Sequence, residues 1–437
     1  MMNQNLKIFF WSLSAALGGF LFGFDTAVIS GAEQTLQKLW NSSAFEHGLT
    51  VSIALIGTVF GALFGGIPAD KYGRRASLAI VAVLYLVSAV GSAMAVDWYS
   101  FLIFRLLGGF GVGISSVVAP MYISEIAPPS KRGSLVALFQ FNVVLGILVS
   151  YISNYFLQNL GSDAWRWMMG VEALPAILFL ITIFGIPESP RWLILKKGLT
   201  EKARSILMII DSSEADSVVQ AIQNTHHTND SSFKNLFKSE YRKPVLLAVL
   251  FALFNQLSGI NAIIYYAPRV FEMAGLGKES AMLSSAGIGL VNLIFTLIGL
   301  TLIDKFGRKF LMKIGSIGLI FSLGMVAYSF YTDSLGGIKV PIFLFLFIAF
   351  FAMSQGAVIW VFISEIFPNE VRAYGQSLGS FTHWIAAAVI SFIFPYIAQT
   401  FGGGNTFLFF ALMMVLQFVF VQKMMPETKG TSLEALN

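Results

Sequence analysis

Polar side chains interrupt the largely apolar stretch FNQLSGINAIIYYAP between Phe254 and Pro268, among them Asn255, Gln256, Asn261 and Tyr265. An amide offers donors and acceptors side by side, which suits vicinal hydroxyls that each do both. In hydrocarbon an amide without a partner is costly, so the cluster reads either as the seat of a hydroxylated solute or as hydrogen bonding between helices. Gly259 in the middle and Pro268 at the end predict a helix that bends or unwinds, as helices do at transporter binding sites. A second constellation is ionisable: Asp25 lies in one apolar run, Arg105 in another and Glu172, within WMMGVEALPAIL, in a third. Charged groups at such depth face a cavity or one another, and a motion that changes the separation of a carboxylate and a guanidinium changes proton affinity. That is a coupling device; the alternative is a static ion pair kept for packing.

The elements that must hold these groups are membrane-spanning helices. The chain is 56% hydrophobic and 12% charged, which excludes a soluble domain. Apolar runs of about 20 residues, long enough to cross a bilayer, recur twelve times, six between Ile8 and Ile186 and six between Val245 and Met424. The polar interval between them contains EKARSILMII, ADSVVQAIQN and SFKNLFKSEY, which read as short amphipathic helices, with His226 and His227 in a solvated loop. Lys and Arg crowd alternate connections, leaving Lys38, Arg166, Arg269, Lys278 and Lys339 on the other side, so both termini are expected in the cytoplasm. The basic balance then calls for anionic lipid and not nucleic acid. The absence of Cys excludes disulfides and thiolate metal sites.

The two sets of six are copies. DKYGRR (70–75) returns as DKFGRK (304–309), and YISEIAPPSKR (122–132) as FISEIFPNEVR (362–372), at nearly the same offset. Such a duplication predicts an N-terminal six-helix bundle over 1–186, a cytoplasmic helical linker over 187–243 and a C-terminal six-helix bundle over 244–437, with a solute site at mid-membrane. The repeated basic turns carry charge at the membrane surface, where Arg74, Arg75, Glu125, Arg132 and Glu188, with Arg308, Glu365 and Arg372, are expected to form cytoplasmic ion pairs that break when the inner side opens.

GGIPADKYGRR (65–75), RLLGGFGVG (105–113), PESPRWL (187–193), QLSGINAIIYYAP (256–268), DKFGRK (304–309) and PETKG (426–430), in that order, resemble the sugar porter family of the major facilitator superfamily. The resemblance implies an all-α fold of twelve transmembrane helices in two pseudo-symmetric bundles that rock about a central site, with the linker helices as a latch. Asp25, Arg105 and Glu172 resemble the coupling set of bacterial D-xylose:proton symporters, whereas passive glucose facilitators carry an amide in place of Asp25. Family sugar positions fall on Gln140, Asn255, Gln256, Asn261, Tyr265, Asn292, Trp360 and Trp384. Trp supplies an apolar face for the C–H side of a pyranose and an N–H at its edge. Asn255 and His383 depart from the family's usual amides, so the identity of the sugar stays open. The resemblance implies proton-driven uptake of a hexose or pentose by a monomer in the inner (plasma) membrane, with no cofactor and no metal. A passive uniporter, a polyol or inositol symporter and a non-transporting sensor are the alternatives, although sensors carry long cytoplasmic tails. No Walker sequence, nucleophile–base arrangement or metal-ligand set points to an ATP-driven pump or an enzyme.

Overall fold

The computed structural model of the chain describes residues 4–224, 236–335, 337–368 and 371–429. His226, His227 and the start of the third expected linker helix lie outside the described residues. Among the described residues eleven helices are long and apolar enough to span a membrane, and the eleventh, Arg372–Lys423, is two in one. Its 52 residues run through non-helical backbone at Gly402 (φ 77°, ψ 166°), which separates an eleventh crossing over 372–401 from a twelfth over 403–423. The twelve expected crossings are therefore all present, and no described residue is in a strand.

The first six crossings are Gln4–Leu39, Ala44–Phe64, Arg74–Met94, Trp98–Ile126, Arg132–Leu157 and Ala164–Phe184. The seventh begins at Arg242 and is followed by Lys278–Phe306, Arg308–Tyr331 and Lys339–Glu365. Of the linker, Pro190–Lys197, Thr200–Ile210 and Ala215–Asn224 are helices, whereas the described end of the SFKNLFKSEY segment is 3-10 at 236–237 and at Ser239–Tyr241 and not α-helical.

Contacts divide the chain into two compact units that cut across the sequence repeats. One contains Met1–Asp25, Ile56–Ile147 and Arg166–Asp230; the other contains Thr26–Leu55, Leu148–Trp165 and Ser231–Asn437. Helices that share an apolar solvent have little hydrophobic reason to associate, so van der Waals fit and interhelical hydrogen bonds decide the packing. In the first unit Gly57 and Gly61 let the second and fourth crossings touch backbone to backbone: a Cβ would fall 2.3 Å from the Leu106 carbonyl oxygen at one and 2.2 Å from that of Phe110 at the other. In the second unit Phe251, Phe362 and Phe367 are buried with Leu247, Ile303 and Phe420, the rings of Phe251 and Phe362 stacked at 5.2 Å. The outer surface exposes large apolar side chains such as Ile181, Phe184, Ile317 and Phe321, as a lipid-facing protein requires.

Candidate functional site

The ionisable trio assembles in the first unit. Asp25, Arg105 and Glu172 are each no more than 2% exposed. The guanidinium forks around Asp25: Nη1 donates to Oδ1, while Nη2 donates to Oδ2 at 3.3 Å and to the Asp25 backbone oxygen at 3.1 Å. Glu172 sits where the sixth crossing breaks between Ala164–Gly170 and Ala173–Phe184. Its Oε1 is buried without a hydrogen-bond partner among the described residues, within electrostatic reach of both Asp25 and Arg105. Two carboxyls thus share one guanidinium. The set is electrically balanced with one proton aboard and carries an uncompensated buried negative charge without it, a costly state in a membrane interior. Tyr85, fully buried on the third crossing, senses both carboxyls and was not singled out from the sequence, where nothing distinguishes it from an ordinary membrane tyrosine.

The amide cluster assembles in the second unit because the seventh crossing is broken twice. Arg242–Leu257 ends before Gly259, whose left-handed backbone (φ 83°, ψ 11°) suits a residue without a side chain. Ile260–Tyr265 follows, and Tyr266 (φ −121°, ψ 24°) separates it from Ala267–Met273, with Pro268 in that piece's first turn where its missing N–H costs nothing. The bend expected from Gly259 and Pro268 is therefore present as two breaks.

Gln256 is the hub of this cluster. Its Nε2 donates to Asn255 Oδ1 at 3.0 Å and lies 3.2 and 3.3 Å from the ring nitrogens of His383, while its Oε1 accepts from Asn261 Nδ2 at 2.7 Å. His383 in turn packs between Trp360 and Trp384, each with ring centroids 4.9 Å away. Trp360 follows a π-helical turn at Ala352–Gly356 and is 38% exposed, whereas Trp384 is buried. Asn255 Nδ2 is a buried donor with no hydrogen-bond partner among the described residues. Tyr265 is buried on the same helix. Asn292, on the eighth crossing of this unit, accepts from Thr296 Oγ1 at 3.3 Å. Gln140 is half-buried on the fifth crossing and belongs to the first unit.

The set expected at the cytoplasmic face divides differently from the sequence expectation. Arg74 makes a fork–fork pair with Glu125, both contacts at 3.0 Å, and Arg308 repeats it with Glu365 at 3.0 and 2.7 Å. The remaining expected partners do other things. Glu188 accepts from the backbone N–H groups of Arg74 and Arg75, capping the third crossing, and the Arg75 side chain donates to the carbonyls of Ile183 and Phe184. Arg372 donates to the Phe367 carbonyl, and Arg132 is exposed; neither pairs with a described carboxylate. Asp70 and Asp304, each 3.4 Å from its arginine, complete the two pairs and were not among the expected residues.

Glu427 was also missed. It caps the ninth crossing through Arg308 N at 2.9 Å and Lys309 N at 3.0 Å, as Glu188 caps the third, and its neighbour Thr428 donates to Glu365 Oε2 at 2.6 Å. The signal was present in the sequence: the Pro-Glu pair of 187–188 recurs at 426–427. Partial burial pushes the Glu427 carboxyl up, but the backbone N–H donors of Lys429, Arg308, Lys309 and Thr428 outweigh it and leave the group below the ordinary value of 4.5. The cap's contribution is therefore fully present above about pH 4.5 and is lost as the pH falls through the lower folded value. Hydrogen exchange of the 424–429 segment should rise on acidification below that point. In Glu427→Gln it should be high already at pH 7, and equal protection in the two proteins would contradict the cap.

A two-fold repeated helical membrane fold with a buried ionisable trio and an amide–tryptophan cluster defines the chain as a membrane transporter of the major facilitator type. The family profile described as "Sugar (and other) transporter" matches residues 11–437, and the chain belongs to that family. It is 39% identical over 433 residues to the arabinose-proton symporter of Bacillus subtilis (strain 168), covering 97% of this chain and 93% of that one. To the D-xylose-proton symporter of Escherichia coli (strain K12) it is 38% identical over 472 residues, covering 98% and 95%. Among solved structures, the partially occluded inward open conformation of the E. coli xylose transporter XylE matches with a TM-score of 0.87 at 36% identity, covering 98% of this chain and 99% of that one.

Proposed function

We propose that the chain imports a monosaccharide, hexose or pentose, together with protons, by alternating access. The observation that carries this reading is Asp25 held in the fork of Arg105 beside the unpartnered carboxyl of Glu172, inside a sugar-transporter fold. Asp25 and Glu172 exchange the proton, and Arg105 makes its occupancy depend on helix position. The Gln256 hub, with Asn255, Asn261, Tyr265, Asn292 and His383, addresses the hydroxyls; Trp360 and Trp384 take the C–H face of the ring. The protein works as a monomer in the inner membrane with both termini cytoplasmic, as two six-helix repeats, 1–186 and 244–437, joined by the helical linker 187–243. Radiolabelled uptake into proteoliposomes with a panel of hexoses and pentoses tests the reading: an inward proton gradient should drive accumulation of at least one sugar. Uptake indifferent to the gradient would make the chain a facilitator.

The two fork–fork pairs hold the cytoplasmic ends of the crossings in each repeat. Exposed pairs are weak, about 0 to 1 kcal/mol each, but these guanidinium groups are about nine-tenths buried. Two states that differ by a few kcal/mol respond to such a loss. Glu125→Gln and Glu365→Gln should each raise the labelling rate of cysteine probes on the cytoplasmic side several-fold; unchanged rates would remove the pairs from the gating scheme.

A further inference from the structure

Three charged or titratable side chains that neither the proton trio nor the amide cluster uses meet in the second unit, two of them buried and the third, Arg269, 21% exposed. Glu33 near the end of the first crossing and His47 near the start of the second both have side chains 0% exposed. Arg269, on the Ala267–Met273 piece of the seventh crossing, reaches them: its Nε donates to Glu33 Oε1 at 2.9 Å and its Nη2 to Oε2 at 2.6 Å. His47 Nε2 lies 2.6 Å from the same Oε2, an acceptor, so that nitrogen carries the proton. Gln37 Oε1 takes a further hydrogen bond from Arg269 Nη2 at 2.6 Å. The His47 ring stands edge-on to Tyr266, the residue at the second break of the seventh crossing, and Tyr266 Oη donates to the Ser391 carbonyl at 3.0 Å.

The cytoplasmic fork–fork pairs each lie within one sequence repeat, whereas this knot joins two. Glu33 and His47 belong to the first repeat and Arg269 to the second, on a short helical piece with a backbone break immediately before it. Beside it, Tyr151 of the first repeat donates to the Ile264 carbonyl at 2.7 Å. Parting the knot strands a carboxylate in a dry setting, which is far costlier than breaking an exposed pair.

We propose that Glu33, His47 and Arg269 form a charge latch that holds the extracellular ends of the two repeats together, so that its strength sets how often the transporter opens outward. The proposal rests on the transport reading and orientation given above. It is tested without sugar or proton gradient, so its failure and theirs are separable. The chain has no native cysteine, so Leu39→Cys and Lys278→Cys, both at exposed positions, accept a pair of spin labels. In the labelled wild-type protein, pulsed electron paramagnetic resonance should give mainly one short distance. Glu33→Gln and Arg269→Gln should each shift the ratio of long to short distances at least about tenfold, and the reversed pair Glu33→Arg with Arg269→Glu should recover most of the short distance. Lys38→Gln, which removes an exposed cation from the same helix end, should change nothing. Unchanged distances in either folded neutral variant, or an equal shift in Lys38→Gln, would overturn the latch; if Arg269→Gln does not fold, Glu33→Gln carries the test.

Discussion

Asp25→Asn should abolish accumulation of sugar against its gradient while leaving sugar exchange across the membrane intact. An inward gradient of one pH unit is worth about 1.4 kcal/mol per proton, enough for about tenfold accumulation at one proton per sugar. The variant should show none of it, because an amide has no proton to bind and release. Asparagine keeps the side chain's size and an oxygen for Arg105 to donate to, and Glu172 remains within electrostatic reach as a counter-charge, so the fold should survive. Exchange needs only the sugar site and the helix motion, which the substitution leaves in place. Proteoliposome accumulation and counterflow, measured on the same preparation, separate the two. Accumulation retained in Asp25→Asn would assign the proton elsewhere, to Glu172 first.

Gln256→Ala should weaken sugar binding by about 10- to 100-fold. Its amide touches Asn255, Asn261 and His383, so its loss leaves three polar side chains to find new partners in a buried setting. Each buried group left unsatisfied costs about 1 to 3 kcal/mol, part of which water entering the site restores. Binding measured by tryptophan fluorescence is a direct readout, since Trp360 and Trp384 flank the His383 ring that Gln256 meets. An apparent affinity within twofold of wild type would place the sugar away from this cluster. His383→Gln, which restores an amide at that position, should keep binding but alter the preference among sugars, because the imidazole lies in the same hydrogen-bond chain.

Much of this arrangement was legible in the sequence because bilayer physics leaves few options. Twelve apolar runs of spanning length can only be helices, and an acid, an arginine and a second acid buried in three of them must meet or face water. A bend in the seventh crossing was visible in Gly259 and Pro268, but its division into two breaks, at Gly259 and Tyr266, was not. What stayed hidden depends on segments that meet across hundreds of residues. Glu188 and Glu427 read as partners for arginine side chains or as ordinary surface acids until the chain places them beneath backbone N–H groups. Arg269 counted only as one of the few cations outside the cytoplasm, since no local pattern connects it with Glu33. The pairing of the first, second and fifth crossings' ends with the second repeat is likewise a property of tertiary packing that a duplication cannot encode.

The π-helical turn at Ala352–Gly356 alters the phase of everything that follows it on the tenth crossing. Closing hydrogen bonds five residues apart instead of four accommodates one residue more than an α-helical path of the same rise, and one residue is about 100° of rotation about the axis. Trp360 is therefore presented on a face that the preceding α-helical stretch, Lys339–Phe351, would not have selected. The same helix satisfies two conflicting periodicities: up to Phe351 it faces its neighbours as packing demands, and beyond the turn it faces them as the His383 ring demands. A helical wheel drawn through the whole segment would put Trp360 on the wrong side, so the inserted residue acts as a rotational offset written into the chain length.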